Sequence, residues 1–262
     1  MNYNQRKTQG AVALKKILEI CVDSLASARA AIAGGADRLE LCSALAVGGL
    51  TPYTSLLRQI RAESDIEIRC LMRHRAGDFL YFPEELELLR LQILELKEAG
   101  ADGFVIGCLT AEGTLDANAM RPLVEACGDC GITLHRCIDV SVNLEQTYRD
   151  AMSLGIDTVL TSGGAASCSA GLENIRRLAS LRDELNGPEI LVGAGVNAAV
   201  ISRFRQEIPG LRAFHMSGKV ELESGMVFRR EGVPMGLPGL DEWHIQQTDP
   251  EAVRAARAAL DD

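Results

Sequence analysis

Gly34-Gly35-Ala36-Asp37-Arg38-Leu39-Glu40-Leu41-Cys42 decides the reading of this chain, because the same seam returns twice more. Gly100-Ala101-Asp102 runs into Gly103-Phe104-Val105-Ile106, and Gly155-Ile156-Asp157 runs into Thr158-Val159-Leu160-Thr161. Each time a helical run ends at a glycine, takes a short Ala-Asp or Ile-Asp step and enters an apolar strand. Glycine just past the last helical turn supplies a left-handed cap, and so short a link suits parallel strands joined by helices.

Outward from these seams, the pattern predicts eight strands near residues 17–22, 38–42, 66–73, 103–109, 132–138, 157–162, 190–194 and 212–217. It predicts helices over 24–33, 52–61, 83–99, 117–126, 144–153, 171–185, 198–205 and 250–260, with Pro52, Pro83 and Pro250 in first turns. Eight regular units imply an α/β fold, a closed (β/α)8 TIM barrel of one domain; a doubly wound open sheet is the alternative. Residues 1–16 read as a flexible polar extension and 17–262 as the barrel. A long insertion after the eighth strand, 218–248, includes Ser224–Arg229 and Pro238-Gly239 and lies on the side where barrel sites form. A lid or an oligomer contact, with a homodimer through it or through outer helices, is the expectation there.

Composition narrows the function. The 262 residues are 47% hydrophobic, enough for one substantial core. Acidic residues outnumber basic ones 36 to 27, and the formal charge of -9 argues against nucleic-acid and membrane partners. The first 16 residues lack a signal-like apolar stretch, so a cytoplasmic location is expected. Eight cysteines are scattered through the chain and read as reduced thiols.

In a barrel, alternate strand residues face the helices and must be apolar. That assigns Leu18, Ile20 and Val22 outward and Glu19, Cys21 and Asp23 inward. Leu39 and Leu41 face outward, with Arg38, Glu40 and Cys42 inward. On the fifth strand Ile132, Leu134 and Ile138 are outward, with Thr133, His135, Cys137 and Asp139 inward; on the eighth, His215 and Ser217 are inward. Arg73 enters from the end of the third strand. Buried charges are costly unless paired or metal-bound, so this interior is either a salt-bridge network or a site. Cys21 and Cys42 end adjacent strands on the inward face, a spacing that suits a soft cation such as Cu(I). Cys70, Cys127 and Cys130 read as core or surface thiols. The loops Gly193-Ala194-Gly195-Val196, Ser217-Gly218-Lys219 and Thr161-Ser162-Gly163-Gly164 offer amide and hydroxyl donors to an anion.

Several ordered blocks carry a family resemblance: Leu18–Ser24, Gly34–Cys42, Gly48–Pro52, Arg73 with Arg75 and Gly77-Asp78-Phe79, His135-Arg136 with Asp139, Val159–Gly163, Gly193–Val196, and His215 with Ser217. From about residue 17 onward the chain resembles the copper homeostasis protein CutC family. The resemblance implies a cytosolic barrel with a role in copper handling and Cu(I) bound by cysteine, here matching Cys21 and Cys42. The chain departs from the family pattern at His74 and Ala76, where proline and glycine are usual, and at Cys137, which offers an additional thiol where alanine is common. As an enzyme instead, it would use His135 or His215 as general acid or base with Glu19 or Glu40. Arg73 and the loops after the seventh and eighth strands, Gly193–Val196 and Ser217–Lys219, would then hold a small anionic molecule. A harder metal, Zn(II) or Mn(II), on Glu19, Glu40, His135, Asp139 and His215 is a third reading.

Overall fold

Gly35, Gly100 and Gly155 all take positive φ, at 93°, 102° and 78°, as the seams require. The computed structural model describes residues 15–233, 235–236 and 242–262, so the expectation for residues 1–14 and for Pro238-Gly239 lies outside the described residues. In chain order the elements are β1 (Ile17–Val22), α1 (Leu25–Gly34), β2 (Arg38–Leu41), α2 (Thr54–Arg61), β3 (Glu67–Leu71), α3 (Pro83–Glu98), β4 (Gly103–Ile106) and α4 (Ala117–Cys127). There follow β5 (Gly131–Leu134), α5 (Leu144–Ser153), β6 (Thr158–Thr161), α6 (Leu172–Leu185), β7 (Glu189–Val192), α7 (Ala198–Glu207), β8 (Ala213–Met216), β9 (Lys219–Glu223), β10 (His244–Thr248) and α8 (Pro250–Asp261). Strands β1 to β8 form a closed parallel barrel, with β8 returning to pair with β1, which excludes the open sheet.

The aspartate of each seam does more than shorten a loop. Its backbone N–H donates to the carbonyl at the start of the preceding strand, and its carboxylate accepts that strand residue's N–H. Asp37 holds Leu18 in this way, Asp102 holds Ile68, and Asp157 holds Ile132. Each carboxylate also pairs with an arginine, Arg257, Arg61 and Arg69 respectively. Three repeats of one clamp thus satisfy strand-start donors that no neighbouring strand reaches.

The two faces separate as the alternation predicts. Leu18, Ile20, Val22, Leu39, Leu41, Cys70, Phe214 and Met216 pack into the core between barrel and helices. Inside the barrel, Cys21, Cys42, Leu71 and Val105 form one small apolar cluster and Leu160, Leu191 and Ala213 another. Below them Arg69 is held by Glu67, Asp157, Thr133 and Thr158.

Three expectations change. Helix α2 begins at Thr54 with Tyr53 as its cap, so Pro52 precedes the helix. The fifth strand stops at Leu134, and a 3-10 turn over Arg136–Val140 follows, because His135 Nδ1 accepts the Cys137 N–H and turns the chain. Residues 218–248 contain the antiparallel β9–β10 hairpin, tied to α1 by Thr248 N–H donating to Ser27 Oγ.

Replacing Asp37, Asp102 or Asp157 by alanine leaves a strand-start N–H without an acceptor and should cost ~1–3 kcal/mol each. Asparagine, which keeps an acceptor oxygen, should cost less. Urea unfolding tests this; three alanine variants indistinguishable from wild type would remove the clamp from the account.

Candidate functional site

The parallel register sets Glu19 opposite Arg38 on β2 and opposite His215 on β8, and Cys21 opposite Glu40. Barrel closure therefore gathers side chains from β1, β2 and β8 at one part of the mouth. Glu19 is completely buried. One carboxylate oxygen accepts from Arg38 Nε, and the other lies 2.7 Å from His215 Nδ1. Burial alone would raise this carboxyl, but Arg38 and His215 override it and hold Glu19 at about 2.

His215 Nε2 lies 3.8 Å from Glu40 Oε2. Burial opposes the imidazolium, yet the neighbouring Cys21 and Glu40 raise its pKa well above the ordinary value. Glu40 is raised by burial, against the pull of His215. Cys42 donates its thiol to Glu40 Oε2 at 3.4 Å, and burial with Glu40 and Cys21 nearby keeps it protonated. Gly193 leaves room here: a Cβ on it would meet Leu160 Cδ1 at 2.7 Å and reach the His215 ring at 3.7 Å.

Among the described residues, Cys21, Glu40 and His215 are the group whose ligand atoms all lie within 4.8 Å of one another. One thiol, one imidazole and one carboxylate at that spacing form a donor set for copper or zinc. Cys42 adjoins this group through Glu40. His215, at the far end of the chain from Cys21, joins the metal set that sequence reading gave to Cys21 and Cys42; its signal was the inward phase of the eighth strand.

The remaining expected residues fall into separate groups. Asp139 lies on the 3-10 turn, where it accepts from Thr161 Oγ1 (2.5 Å), Ser162 Oγ (2.9 Å) and the Ser162 and Gly164 N–H groups, and pairs with Arg136. Thr161 and Ser162 are thereby committed to anchoring a loop. The Ser217 carbonyl accepts from Thr248 Oγ1, and Gly195, at φ 81°, turns the loop after β7. Arg73 donates to the carbonyls of Val47, Gly49 and Gly77. His135 turns its Nδ1 to the Cys137 backbone. Among the described residues, Glu19, His135 and Asp139 are not part of the group of convergent ligand atoms, so the five-residue zinc or manganese set does not come together. Cys137 packs in the helix-facing core.

Cys127-Gly128-Asp129-Cys130 has a CxxC spacing. It begins at the last residue of α4, where the helix dipole disfavours a thiolate, and burial with Cys130 nearby pushes Cys127 up to about 12. Cys127 lies in the core between barrel and helices, and Cys130 packs against it.

The CutC family model matches residues 16–220 of this chain. The CutC family protein of Chromobacterium violaceum is 39% identical over 249 residues, 95% of this chain and 99% of that protein. Its counterpart in Vibrio parahaemolyticus is 40% identical over 247 residues, 93% of this chain and 98% of that one. The crystal structure of CutC from Streptococcus agalactiae, named for a proposed role in copper homeostasis, superposes with a TM-score of 0.72 at 27% identity, covering 77% of this chain and 98% of its own. With the barrel and the inward blocks of β1, β2 and β8 in place, these matches show that the chain belongs to the CutC family.

Proposed function

We propose that this protein takes part in copper homeostasis by binding Cu(I) as cargo at the barrel mouth, through Cys21 Sγ and His215 Nε2, with Cys42 and Glu40 completing the donor set. The observation that carries this reading is the convergence of Cys21, Glu40 and His215 ligand atoms within 4.8 Å. Soft thiolate and borderline imidazole donors favour Cu(I) over oxygen-seeking cations. Glu19 supports them as a positioning residue, its carboxylate fixing the ring through Nδ1 so that Nε2 faces the cargo. In the metal-free state the His215 imidazolium, beside Glu19 and Glu40, supplies the positive charge that the ion later brings. A reducing cytosol fits eight free thiols, and no described helix is long and apolar enough to cross a membrane.

A second reading follows from the same geometry. Cys21, His215 and Glu19 stand in the order of nucleophile, base and orienting carboxylate, which suits a barrel enzyme attacking an electrophilic carbon of a small anionic molecule. Metal binding is preferred because Glu40 adds a third convergent donor that nucleophilic chemistry does not need.

Anaerobic competition against a chromophoric Cu(I) chelator tests the first reading. Wild type should take one ion tightly, and Cys21→Ser and His215→Asn should each weaken binding by at least about tenfold, a 1.4 kcal/mol step. Cys42→Ser should weaken it too. Undiminished binding in Cys21→Ser would move the site elsewhere and leave the nucleophile reading standing.

The charge of His215 is separately testable in metal-free protein. Its raised pKa means the folded state holds this proton more tightly than the unfolded chain. That contribution is fully present below about pH 6.5, the ordinary imidazole value, and is lost as pH rises through the higher folded value. The stability gap between wild type and His215→Asn, from urea unfolding at fixed ionic strength, should be widest in mild acid and narrow toward alkaline pH. A gap that widens with pH would contradict an imidazolium at this position.

A further inference from the structure

A second polar cluster lies in the wall built by the β3–α3 segment and the ends of β4 and β5. His135 is 4% exposed, and its Nδ1 accepts the Cys137 N–H at 3.1 Å. A ring nitrogen that accepts carries no proton, so the neutral imidazole holds its N–H at Nε2. Burial and the charge of Arg73 push this histidine down to about 3, which keeps it neutral across the physiological range. Its Nε2 is buried and makes no hydrogen bond of good geometry, with the Gly107 backbone close enough to favour the protonated ring weakly.

Two more donors of the same wall share this condition. Tyr81, 9% exposed, has a buried hydroxyl without a partner, and Arg73 has a buried, unpartnered Nε. Phe79 links the group: its ring lies 4.6 Å from the His135 ring and 5.6 Å from the Arg73 guanidinium carbon, measured between centres. Gly107 permits this packing, because a Cβ there would come within 2.5 Å of His135 Cε1 and Cys137 Sγ. The terminal nitrogens of Arg73 donate only to backbone carbonyls, and among the described residues no carboxylate pairs with it.

The wall therefore has buried donors without acceptors beside a half-buried cation that no described carboxylate meets, and such an arrangement is stabilised by an anion that supplies both. We propose that this wall binds a small carboxylate, whose oxygens accept from His135 Nε2 and the Tyr81 hydroxyl and whose single charge answers Arg73. One uncompensated cation with two neutral donors matches a monoanion better than a phosphate dianion. This site is independent of the copper reading, since it shares no residue with Cys21, Glu40 or His215.

The test follows the His135 ring nitrogens by NMR in protein carrying ¹⁵N-histidine, titrated with acetate, pyruvate and inorganic phosphate at constant ionic strength. Acetate and pyruvate should shift the Nε2 resonance saturably in wild type. Tyr81→Phe removes a single oxygen and should weaken that response about tenfold, and Arg73→Met should abolish saturation, while Cu(I) affinity stays unchanged in both. Thermal unfolding checks that each variant is folded; if Arg73→Met is not, Tyr81→Phe alone decides. No saturable response in wild type, an undiminished response in Tyr81→Phe, or a preference for phosphate would each overturn the proposal.

Discussion

Glu19 has no exposed surface, and a carboxylate in that position persists only if its charge is met on both oxygens. Arg38 meets one and His215 the other, and the two partners come from the strands on either side of β1. Barrel closure and the charge state of the mouth are consequently one problem. Without β8 beside β1, Glu19 would lose its histidine and Cys21 would lose the imidazole that stands next to it. Without Glu19, the ring would lose the contact that fixes Nδ1 and leaves Nε2 facing Glu40. Arg38, itself almost wholly buried and also paired with Glu67, connects this arrangement to the floor of the barrel.

The charges divide the interior into tasks. The floor is a structural network around Arg69, fully engaged with carboxylates and threonine hydroxyls. The β5–β6 side is held by Asp139, which spends its acceptors on loop backbone and hydroxyls. Among the described residues, only the mouth near β1, β2 and β8 keeps a thiol, an imidazole and a carboxylate facing one another. A cation placed there would replace a proton already held on His215, so the site need not be rebuilt to exchange one positive charge for another.

Much of this was legible in the sequence. The Gly-Ala-Asp and Gly-Ile-Asp seams marked strand starts, and strict alternation put Glu19, Cys21, Glu40, Cys42 and His215 on the inner face because their neighbours had to be apolar. What was hidden depends on partners distant in the chain. Glu19 and His215 are 196 residues apart, and their contact follows from the register of closure, which periodicity does not carry. Ile132, Leu134 and Ile138 mimic a continuing strand, but His135 caps a 3-10 turn and moves Asp139 out of the barrel axis. The commitment of Thr161 and Ser162 to Asp139 was equally invisible, since hydroxyls in a Gly-rich loop look the same whether they serve a ligand or an anchor.

The central claim is that the mouth holds its ion through sulfur and imidazole together. X-ray absorption at the copper edge on protein loaded anaerobically with one equivalent of Cu(I) tests it most directly. The account predicts mixed coordination, with sulfur scattering from Cys21 and an imidazole pattern that disappears in His215→Asn. Coordination by nitrogen and oxygen alone, or an imidazole signal unchanged in that variant, would contradict it.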